Sequence, residues 1–73
     1  MALISLGEAK WRMLRRALAA RRFRFEDCRN MHRFDRQHFD WLLDHKFFES
    51  VGAGLYQVTD KGRAAADLGL YEV

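Results

Sequence analysis

Between Phe39 and Val58 the apolar residues change their spacing, and that change limits the folds open to the chain more than any other feature. Phe39, Leu42 and Leu43 recur at intervals of three and one, the marks of a helix with one side turned to a core. Phe47-Phe48-Glu49 then begins an extended run, Val51-Gly52-Ala53-Gly54 supplies the glycines of a tight turn, and Leu55-Tyr56-Gln57-Val58 returns. A helix that passes straight into a two-stranded hairpin is therefore the centre of the fold.

The remaining segments arrange themselves around that unit. A first helix is expected over about residues 6–20, with Ser5 capping it, Glu8 reaching back, and Trp11, Leu14 and Leu18 on one face. Leu6, Met13 and Ala17 form a second apolar stripe, which makes this helix central. Phe23-Arg24-Phe25 suits either a very short edge strand or the lead-in to a second helix over about 26–31, with Cys28 and Met31 facing inward. Asp35 is the expected N-cap of the third helix, about 36–46, accepting from the amides of Gln37 or His38. The hairpin strands follow at about 47–50 and 55–58. Thr59 caps a fourth helix over about 60–68, and Gly69 stops it. Leu70, Tyr71 and Val73 are an apolar tail that needs somewhere to pack.

The reading is one domain over residues 1–73, mainly α with a small β-hairpin. The chain has no proline and a single cysteine, so no disulfide staples it, and a core of this size yields only about 3–5 kcal/mol. Dimerisation is a natural supplement. Cys28 reads as a small buried hydrophobe rather than a nucleophile. His38 and His45 lie seven apart, whereas helix-borne metal pairs favour three or four, so no metal or cofactor is expected. No nucleophile, base and orienting group recur together and no glycine-rich phosphate loop follows a strand, which points away from an enzyme. The apolar start is broken at once by Ser5, Glu8 and Lys10, and no uncharged stretch is long enough to span a bilayer. A cytoplasmic protein is the expectation.

Charge is uneven along the chain. Residues 1–36 hold ten Lys/Arg against four Asp/Glu, and residues 37–73 hold three against six. A basic half raises the odds of a polyanionic partner, although arginines at these spacings also serve simply to solvate helix faces.

Two stretches carry a family resemblance. Phe39 to Glu49, FDWLLDHKFFE, looks like a recognition helix ending in leucines and a charged pair before an apolar residue enters a wing. Tyr56 to Ala65, YQVTDKGRAA, is similar to the strand-to-helix junction with a Tyr-x-Leu-Thr-x-x-Gly signature. Together they resemble the winged helix-turn-helix superfamily, in particular the small regulators of the multiple-antibiotic-resistance type, over residues 25–68. Val58 replaces the usual leucine, and Phe47 stands where a helix-ending glycine is common.

The resemblance implies a small transcriptional regulator or accessory factor that binds double-stranded DNA through its third helix. Arg36 and Gln37 match the base-reading positions, Arg36 toward guanine and Gln37 toward adenine, with Asp40 and Trp41 on the same exposed face. Arg15, Arg16, Arg21, Arg22, Arg24 and Arg33 are the candidate phosphate contacts. Three features pull the other way. Asp40 and Asp44 place carboxylates where phosphates should approach, although an aspartate can accept from cytosine. The wing tip, Ser50 to Gly54, holds no Lys or Arg. Trp41, if exposed among polar residues, suits a protein-interface anchor. The alternative is therefore a protein-interaction winged helix that docks a partner or a second copy through Trp41, Asp40, Asp44 and His45. Packing of Trp41 against the first helix or the tail is the plainer explanation of that residue.

Overall fold

The computed structural model describes residues 2–72. It has four helices and two small antiparallel two-stranded sheets, an architecture compatible with a small winged helical fold. In chain order the elements are β1 (Leu3–Ser5), α1 (Glu8–Leu18), α2 (Phe25–Cys28), α3 (Asp35–Asp44), β2 (Phe48–Gly52), β3 (Leu55–Val58), α4 (Asp60–Leu68) and β4 (Leu70–Glu72). Met1 and Val73, the latter read above with the tail, lie outside the described residues. Among the described residues no helix is long and apolar enough to cross a membrane.

The ends of the chain hold the main departure from the expected order. Leu3–Ser5 is a strand, paired antiparallel with Leu70–Glu72 so that Ile4 faces Tyr71. Ser5 is therefore not a helix cap. Its hydroxyl instead accepts from the Gly7 N–H at 3.2 Å, Gly7 takes the N-cap position at φ 83°, and α1 starts at Glu8. Glu8 pairs with Arg12 along the helix instead of reaching back. The tail thus finds its packing against the other end of the chain, a second sheet in addition to the expected hairpin.

The α2 segment is also shorter than expected. The Arg24 N–H donates to Asp27 Oδ2 at 2.9 Å, which fixes the helix start. The chain leaves the helix after Cys28, and Met31, at φ 61°, is 78% exposed instead of facing inward. Cys28 is buried, as its small apolar character requires. Asp35 lies inside the first turn of α3, not before it. Its Oδ2 turns back to accept from the His32 N–H at 2.9 Å, closing the α2–α3 turn, and does not reach the Gln37 or His38 amides.

One cluster of buried side chains holds the layers together. Phe39 and Leu42 of α3, Met13, Leu14 and Ala17 of α1, and Phe47 and Phe48 at the start of the hairpin are all at or below 1% exposure. Leu43, expected among them, is half-buried at the margin. Phe23 joins the same core edge-on to Phe48 at 4.8 Å. It also exchanges two backbone hydrogen bonds with Tyr56, of 2.9 and 2.8 Å, so the Phe23-Arg24-Phe25 segment runs as a short rung beside β3 and then enters α2.

The junctions around the hairpin are set by local backbone chemistry. At the end of α3, Lys46 adopts φ 65°, its N–H donates to Leu43 O, and the Phe47 N–H donates to Leu42 O at 2.9 Å. This is a Schellman stop. The position that favours glycine is thus Lys46, not Phe47, and β2 begins only at Phe48. Ala53 and Gly54 form a two-residue turn with both φ values positive, as a hairpin with right-handed twist demands. Thr59 then clasps the end of α3 to the start of α4: its hydroxyl donates to Lys46 O at 2.6 Å and accepts from the Gly62 N–H at 3.0 Å.

Candidate nucleic-acid interface

The outward side of α3 carries Gln37, Asp40 and Asp44, spaced by three and four and all exposed. Arg36 stands beside this stripe and pairs with Asp40 at 3.3 Å, both side chains being more than half exposed. An exposed i,i+4 pair contributes only about 0.3–0.5 kcal/mol, so the guanidinium is readily given up to a stronger acceptor. Its flat face also lies 5.3 Å from the Phe25 ring centroid and 5.4 Å from that of Phe39, which sets where the side chain rests.

Trp41 is not part of this exposed stripe. Its ring is half-buried, stacked on His45 at 3.7 Å and met edge-on by Tyr71 at 5.1 Å and Phe47 at 5.7 Å. The Lys10 ammonium covers it at 4.4 Å. His45 is held in turn, its Nδ1 lying 2.9 Å from the Trp41 carbonyl, which can only accept, so that nitrogen carries the proton. The expectation that Trp41 is offered to DNA or to a partner is corrected by this packing against the tail and Lys10.

The candidate phosphate residues do not form one surface. Arg33 lines an open groove of about 390 Å³ at the α2–α3 turn, and Arg36 and Arg29 line the same groove. Arg16 reaches this region from α1, donating to the Arg29 carbonyl at 2.7 Å, so it positions the turn. Arg24 lies along the hairpin, with Nη1 3.5 Å from the Ala53 carbonyl at its tip. The turn itself holds no cation, and Arg24 brings one to it from outside. Arg15, by contrast, packs over Trp11 at 5.0 Å and lines the groove between α1 and α4 with Asp67. Arg21 lies past the end of α1, in a separate groove with Arg63. Arg22 is exposed and makes no ion pair among the described residues.

Arg29 is the residue the sequence reading missed. It follows Cys28 at the helix end and stands four before Arg33 and seven before Arg36, but that spacing gains meaning only once α2 is seen to stop at Cys28. A buried carboxylate lies among these three arginines. Asp35 is 5% exposed, and its Oδ1 has no hydrogen-bond partner among the described residues. His38, behind it on α3, has its pKa lowered by burial first and then by the charges of Lys10 and His32. Among the described residues no group of three or more His, Cys, Asp or Glu is placed to hold a metal ion.

Compared with protein-family models, curated proteins and solved structures, the chain matches none. The functional reading therefore rests on its own geometry.

Proposed function

We propose that this chain is a winged helix-turn-helix domain that binds double-stranded DNA as a small transcriptional regulator or accessory factor, with the start of α3 directed at the major groove. The observation that carries the reading is the convergence of Arg29, Arg33 and Arg36 on one groove at that helix end. Three arginines lining one concave surface beside a helix N-terminus, against the single buried carboxylate of Asp35, leave a net positive field of the kind a phosphate backbone requires. Gln37 begins the outward stripe next to them and can pair with adenine, while Arg36, released from Asp40, can pair with guanine. The order of helices with Phe23 bridged to β3 supports the winged helix, and Arg24 supplies the wing with its cation. Arg15 and Arg21 stand outside this surface; Arg16 contributes by holding the Arg29 backbone.

A second reading, docking of a protein partner, is favoured by Met31 at 78% and Phe34 at 38% exposure in the same turn. It no longer has Trp41 as an anchor. Amide chemical shifts recorded while a short mixed-sequence duplex is added separate the two. Shifts confined to residues 24 and 29–44, with residues 60–72 unmoved, are expected for DNA binding. An unchanged spectrum at low salt removes it.

A further inference from the structure

We infer that the face formed by β1, β4 and α4 is a two-fold contact between two copies of this chain. Leu3 is 58% exposed and Leu68 64%, and the two border a single groove of about 200 Å³. Leu70 and Tyr71 contribute its half-buried lining. The groove is mainly apolar, yet it carries one cation and one anion, Lys61 and Glu72, which form no ion pair among the described residues. A surface with both signs of charge around an apolar centre is complementary to itself. A two-fold axis through the groove sets Lys61 of each copy against Glu72 of the other, the reciprocal pattern such contacts require.

The strand pairing points to the same occupant. Among the described residues β1 pairs with β4 alone, and it exposes an apolar side chain on each face, Leu3 on one and Ile4, at 44%, on the other. A two-stranded sheet is marginal by itself, and an uncovered apolar edge strand is a template for a further strand. None of these residues borders the arginine groove, and the inference stands apart from the DNA reading.

Sedimentation velocity on the intact chain tests it, with circular dichroism showing that each variant keeps its helix content. Wild type is expected to dimerise. Lys61→Glu and Glu72→Lys are each expected to weaken self-association about tenfold or more, and the double reversal to restore it to within about threefold of wild type. Leu68→Glu, with the charges left intact, is expected to be monomeric. A wild-type monomer at the highest soluble concentration, single reversals that leave the dimer unchanged, or a double reversal that fails to recover it would each overturn the inference.

Discussion

Trp41 and Tyr71 meet edge to face at 5.1 Å with their rings at 80°, and this contact joins the middle of α3 to the strand that closes the chain. It turns the most conspicuous aromatic of α3 from a recognition element into a structural one. The outward stripe of α3 available to the proposed DNA contact is thereby left to Gln37, Asp40 and Asp44.

If that contact is structural, Tyr71→Ala costs stability and exposes Trp41. A half-buried aromatic truncated to alanine falls below the 3–5 kcal/mol of a fully buried one, so a loss of about 2 kcal/mol is expected. Urea unfolding checks the loss. In a Trp11→Phe background, red-shifted emission from the remaining Trp41 checks the exposure.

The Thr59 clasp makes a second demand. Thr59→Ala removes both the cap of α4 and the bond to the Lys46 carbonyl, and is expected to cost about 1–2 kcal/mol. At Gly62, a Cβ would clash with the Phe47 carbonyl oxygen and lie 2.9 Å from Val58 Cγ1. Gly62→Ala is therefore expected to cost about 1–3 kcal/mol through overpacking, even though alanine is the better helix former. Denaturant midpoints of the two variants measure both.

At Lys46 the opposite sign is expected. The residue is held at φ 65°, where a side chain is strained and glycine is not, so Lys46→Gly should stabilise the fold by about 1 kcal/mol. A raised melting temperature is the readout.

Stability should fall at both ends of the pH range, for two separable reasons. Burial, reinforced by the charge of Asp27, pushes the Cys28 thiol from 9.0 up to about 12, so above pH 9 the unfolded chain loses a proton that the folded one keeps. The loss from this group grows by up to about 1.4 kcal/mol per pH unit until pH 12, and Cys28→Ala should lack it. His38, with its pKa lowered, resists protonation when folded, so stability is lost as pH drops below 6.5. His38→Gln should flatten that acid limb. Unfolding curves at stepped pH distinguish the two groups.

Elements whose signals are local were legible in the chain almost to the residue. β3 and α4 fall where expected because the cap from Thr59 to the Gly62 amide and the stop from Gly69 to the Ala65 carbonyl each act within four positions. Ser5 misled because its capping pattern is local, whereas the pairing that claims Leu3–Ser5 is with Leu70–Glu72 at the other end of the chain. Trp41 shows the same limit. Helical periodicity placed it on the outer arc of α3, but no local rule discloses that Tyr71 covers that arc. Within the candidate site, Arg33, Arg36 and Gln37 were readable from their place around the turn, while Arg29 was hidden by a helix drawn three residues too long.

The sharpest test of the arginine groove is how duplex affinity depends on salt, for wild type and for Arg33→Ala. Three cations on phosphates, from Arg24, Arg29 and Arg33, with Arg36 turned to a base, give a log–log slope of about −2.7, and Arg33→Ala should bring it to about −1.8. No duplex binding at about 50 mM salt, or a slope that Arg33→Ala leaves unchanged, would contradict the assignment of that groove to DNA.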